Sequence, residues 1–118
     1  MLEENKVARL IAEACLEEKA GDVLILDVGH LTIIADYFVI ASGRSVIQVR
    51  SIAENVEKKL KEHGIIPLRR DGHNQGTWIV MDFGSVLVHI FRQEERDYYQ
   101  LENLWGDARE VALEGSPQ

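Results

Sequence analysis

The chain has 118 residues, enough for one compact domain with a single hydrophobic core and hardly for two. Its 46% hydrophobic and 28% charged content is that of an ordinary globular protein, with no apolar run long enough to span a bilayer and no basic-then-apolar leader, so a cytoplasmic protein without membrane contact is expected. Twenty acidic against 13 basic side chains give a net charge of −7, which argues against phosphate-backbone binding and favours a basic protein partner, because affinity for nucleic acid comes mainly from lysine and arginine.

Val7, Leu10, Ile11 and Ala14 recur at the spacing of an amphipathic helix, predicted over residues 3–18 and ended by Gly21. The single cysteine, Cys15, sits among Ala12, Ala14 and Leu16 and reads as a small packing residue; alone it can form no internal disulfide and no cysteine-only zinc site. Residues 23–26 and 37–41 read as two short buried strands, rich in aliphatic and aromatic side chains. Ser42-Gly43-Arg44-Ser45 turns the chain into a second helix, with Ser45 and Gln48 spaced as a capping box in which each side chain satisfies a free N–H. Val49, Ile52, Ala53, Val56 and Leu60 form its apolar stripe, and Gly64 its stop. Residues 65–68 are expected to start a third strand, placed at an edge by Pro67, before a flexible loop over 71–76.

An antiparallel hairpin follows, with strands at 77–83 and 86–91 joined by Gly84-Ser85, a turn whose first central residue needs positive φ. Side-chain alternation sorts it into two faces. Ile79, Met81 and Phe83 pair with Ile90, Val88 and Val86 on a wholly apolar face that reads as core. Trp78, Val80 and Asp82 pair with Phe91, His89 and Leu87 on the other. That second face is too apolar for idle exposure, yet its carboxylate and imidazole resist burial, which suits docking of another macromolecule. Helical spacing returns from Glu94 to about Leu113 through Tyr98, Leu101, Trp105 and Ala108, with Gly106 as a bend. The order is α-β-β-α-β-β-β-α: an α/β (α+β) domain over 1–113, a mixed sheet with helices packed mainly on one face, and a frayed tail at 114–118.

The strand-to-helix turn at 42–45 could cradle a phosphate, as in nucleotidyltransferases, but those enzymes also need clustered carboxylates to hold magnesium. Asp82 stands alone at a strand end. His30, His63, His73 and His89 lack close metal-ligand spacing, so no cofactor, metal or catalytic group is expected.

Asp36-Tyr37-Phe38-Val39-Ile40-Ala41-Ser42-Gly43, then Trp78-Ile79-Val80-Met81-Asp82-Phe83-Gly84, Val88-His89-Ile90-Phe91 and Arg96-Asp97-Tyr98-Tyr99-Gln100-Leu101-Glu102-Asn103-Leu104-Trp105 strongly resemble the Iojap family of ribosomal silencing factors, in the family's order. The resemblance implies a nucleotidyltransferase-like fold without its catalytic carboxylates. It also implies a translational repressor that binds the large ribosomal subunit through its fourteenth protein, with little direct rRNA contact. Such a factor blocks joining of the small subunit sterically, especially under nutrient limitation. The family's contact tryptophan corresponds to Trp78, so Trp78, Val80, Asp82, Leu87, His89 and Phe91 are the expected interface. A small nucleotidyltransferase and a homodimer using the same face are the rival readings.

Overall fold

The structure is a computed structural model that describes residues 4–113. Six strands form one mixed sheet: β1 (Gly21–Asp27), β2 (Tyr37–Gly43), β3 (Arg69–Asp71), β4 (Trp78–Asp82), β5 (Val86–Arg92) and β6 (Arg109–Val111), in the spatial order β3-β4-β5-β2-β1-β6. Among the described residues only the central β2–β5 pair is parallel, and the other four pairs are antiparallel. Helices α1 (Glu4–Glu17) and α2 (Val46–Glu62) cover one face, while the short α3 (Gln93–Tyr99) and α4 (Leu101–Leu104) follow β5.

The main core lies between α1, α2 and the sheet. Every residue of the α2 stripe is buried, against Ile79, Met81, Val88 and Ile90 of the hairpin and Ile25, Val39 and Ala41 of the central strands. Cys15 lies fully inside this layer, where burial pushes its thiol up to about 12, so it packs as a small hydrophobe and stays protonated. The cap of α2 differs from the expected box in one bond. Gln48 N donates to Ser45 Oγ at 3.1 Å, but Gln48 Oε1 accepts from Arg44 N, one residue before the cap. Its Nε2 reaches Glu18 O and Lys19 O, both at 3.1 Å, tying the start of α2 to the end of α1.

The hairpin register is the expected one, from Trp78 opposite Phe91 to Asp82 opposite Leu87. Gly84 has φ +92, the backbone this turn demands, and Asp82 Oδ1 accepts its N–H at 2.8 Å. Gly72 is equally constrained: with φ +84, a Cβ there would stand 2.0 Å from the Trp78 carbonyl oxygen. The loop after β3 is therefore pressed directly against the start of β4.

Two sequence expectations need correction. The third strand is not at 65–68 but at Arg69–Asp71: the chain leaves α2 through Gly64 and Pro67, Leu68 N makes a first bond to Asp82 O of β4, and the ladder then runs from Arg69 to Asp71. The C-terminal segment is not one helix. Gln100 takes a left-handed conformation (φ 49, ψ 50) that separates α3 from α4, and residues 109–111 pair with β1 as a sixth strand. This strand covers an edge of β1 that would otherwise be open, and Arg109 bonds Asp27 at 3.1 Å across the pair. The expected tail at 114–118 lies outside the described residues.

Candidate functional site

The second face of the sheet is only partly covered. Beneath it lies a smaller core of Leu26, Val28, Ala35, Phe38, Ile40 and Phe91, with Trp78, Leu87, Leu101 and Trp105 half-buried against it. The α3–α4 segment crosses this face at one side and is held there by Arg96. That guanidinium, only 4% exposed, bonds Glu102 Oε2 at 3.1 Å and donates to Gly21 O and Ser42 Oγ at 3.3 and 3.4 Å.

The structure brings all six expected interface residues onto this one face, at different depths. Trp78, Val80, Asp82 and Leu87 are partly accessible. Phe91 is completely buried and His89 only 8% exposed, so in the free chain these two form the floor beneath the others. Alternation identifies the face but not what lies over it. Trp78 stacks on Phe91 (centroids 4.8 Å apart) and meets Tyr99 of α3 at 5.0 Å, so the tryptophan is packed within its own domain as well as presented. Tyr99, with exposed Tyr98 and Leu104 beside it in sequence, is the part of this surface that sequence reasoning missed. No sequence signal marks it, because the break at Gln100 that ends α3 carries no glycine or proline.

His89 is fixed by uncharged neighbours. Trp78 Nε1 donates to its Nδ1 at 3.2 Å, Phe38 meets it edge-on at 5.2 Å, and its Nε2 has no hydrogen-bond partner among the described residues. Burial pushes the imidazole down to about 4 from an ordinary 6.5. The unfolded chain therefore takes up this proton first as pH falls. Stability from this group is intact above about pH 7, declines between about 6.5 and 4, and changes no further below that, a loss of roughly 3 kcal/mol. Urea unfolding at pH 7.5 and 4.5 should show this loss in the wild type and a much smaller one in His89→Asn. Equal losses in both would place the titrating group elsewhere.

The turn at 42–45 has its polar groups engaged internally. Ser42 Oγ lies 3.0 Å from both Gly21 O and Gln93 Oε1, either of which can accept its one hydroxyl proton, and Ser45 Oγ is taken by Gln48 N. Asp82 is occupied by the hairpin turn, and among the described residues no group of three or more His, Cys, Asp or Glu could hold a metal ion.

Residues 2–118 match the sequence profile described as "Ribosomal silencing factor during starvation". The chain belongs to the ribosomal silencing factor family. It is 41% identical over 111 residues to the ribosomal silencing factor of Halalkalibacterium halodurans, covering 94% of this chain and 95% of that one. The Bacillus subtilis factor is 38% identical over 107 residues, covering 91% of each. The fold is similar to the crystal structure of a Chromobacterium violaceum protein, with a TM-score of 0.87 and 37% identity over 89% of this chain and 88% of that one. Among the described residues no helix is long and apolar enough to cross a membrane.

Proposed function

We propose that this ribosomal silencing factor represses translation by binding the large ribosomal subunit through its fourteenth protein, so that the small subunit cannot join. The mechanism is occlusion, most needed when nutrients are scarce, and involves no catalysis. The observation that carries the reading is the second sheet face, where Trp78, Val80 and Leu87 stand partly accessible over a buried aromatic floor that α3 and α4 cover only at one side. Partly exposed aromatic side chains on a rigid floor are favourable interface anchors, because little side-chain entropy remains to be lost on docking. Asp82 and the acidic balance of the chain complement a basic ribosomal protein.

The test is cosedimentation with purified subunits. The protein should pellet with large subunits and not with small ones, and its addition should reduce the light scattered when the two associate. Equal recovery with both subunits, or with protein-free rRNA, would overturn the reading. In parallel, calorimetry with nucleoside triphosphates and magnesium should show no binding at millimolar concentrations. Micromolar binding abolished by Asp82→Asn would favour a nucleotidyltransferase instead.

A further inference from the structure

The connection from β1 to β2 carries Leu31, Thr32, Ile33 and Ile34 where a surface loop ordinarily carries polar residues. Ile33 is 103% exposed and Ile34 59%. Consecutive exposed aliphatic side chains are a solubility liability unless something uses them. This loop also holds them in fixed positions. Leu31 N and Thr32 N both donate to Val28 O, at 2.8 and 3.1 Å, and Ile34 N donates to Thr32 Oγ1 at 3.2 Å. Val28 N closes the base of the loop on Asp36 O at 2.9 Å.

The loop is continuous with the second face. Val28 and Ala35, its two ends, belong to the same buried cluster as Phe38 and Phe91, beneath Trp78 and Leu87. Asp36 N bonds Ser85 O at 2.8 Å, setting the loop's exit beside the hairpin turn, which Asp82 caps from the other strand. The stretch from Asp27 to Asp36 contains two aspartates and no lysine or arginine.

We propose that this loop is a second anchor of the docking surface, with Ile33 and Ile34 seating in an apolar hollow on the same basic ribosomal protein while Asp36 and Asp82 face its cationic rim. The inference rests on the proposed function and adds the residues that extend contact beyond the hairpin. A braced loop presents its isoleucines without first having to be ordered, the condition under which a small apolar anchor contributes most to affinity.

Ile33→Asn/Ile34→Asn tests it, read by thermal melting, by sedimentation equilibrium of the protein alone, and by titration of purified large subunits. The double variant should melt like the wild type, keep its oligomeric state and bind large subunits at least tenfold more weakly. Ile33→Val/Ile34→Val, which keeps the apolar surface, should bind within about threefold of the wild type. Unchanged affinity of the asparagine variant, while Val80→Glu loses binding, would overturn the anchor and leave the proposed function standing. A wild type that ignores large subunits would overturn both. A wild-type dimer that the asparagine variant dissociates without losing subunit affinity would assign the loop to a second copy of this chain. A large fall in melting temperature would make the loop structural.

Discussion

Met81→Glu is expected to leave the chain unfolded at room temperature, while Val80→Glu, one position away, folds and loses large-subunit binding. Met81 is fully buried in the layer between the sheet and the helices, opposite Val88. A glutamate there replaces a filled site and buries a carboxylate with no partner. The combined cost is at least about 5 kcal/mol, comparable to the whole stability of a small domain. Val80 lies on the other face between Trp78 and Asp82 and is partly exposed, so its replacement can keep the new charge in water. In a docked complex the same charge would be buried without a partner, costing about 2 kcal/mol or more, or about thirtyfold in affinity. Val80 is a cleaner probe than Trp78, whose removal would also uncover Phe91 and leave His89 Nδ1 without its donor. Thermal melts and subunit cosedimentation of both variants decide the matter. A stable Met81→Glu protein would reverse the assignment of the two faces, and normal binding by Val80→Glu would move the docking surface elsewhere.

The two faces were legible because strand alternation is strictly local. Once Gly84-Ser85 fixes the turn, every pair from Trp78–Phe91 to Asp82–Leu87 follows. The α2 stripe was legible for the same reason, through its regular spacing and its serine cap. The C-terminal segment was not, because its structure is decided by distant partners. Tyr98 fits a helical stripe with Leu101 and Trp105, yet it is exposed, and the buried member of α3 is Arg96. No periodicity rule assigns an arginine to the interior, since its burial depends on carbonyl and hydroxyl acceptors from Gly21 and Ser42, far away in sequence. The sixth strand was hidden in the same way: three residues, two of them charged, pair only because β1 offers a free edge.

The depth of the candidate site was hidden for a related reason. Pattern placed His89 and Phe91 on the second face of the sheet, where the hairpin register has them. What covers them is Trp78 folding across from the neighbouring strand, with Tyr99 arriving from α3. A face read from one hairpin therefore overstates what a partner can reach and omits what neighbouring segments add to it.

Arg96→Met is expected to be the most damaging change outside the helix-side core, destabilising the domain by about 3 kcal/mol or more and lowering its melting temperature by roughly 10 °C. Removing the guanidinium leaves Glu102 partly buried without its cation, and its Oε1 already lacks a partner among the described residues. Gly21 O and Ser42 Oγ lose a donor at the same time. Because a lone buried charge costs more than the pair contributes, Arg96→Met/Glu102→Leu should recover much of the loss, and the difference between single and double variants measures the coupling. The loosening should be regional: α3 and α4 lie over the second face, and Trp105 meets Phe38 edge-on at 5.0 Å. Limited proteolysis should thus cut the single variant first within residues 93–113, and its large-subunit affinity should fall because Tyr99 no longer supports Trp78. If the single variant melts like the wild type, the buried arginine holds nothing in place. If it is destabilised but binds normally, α3 braces the fold without shaping the docking face.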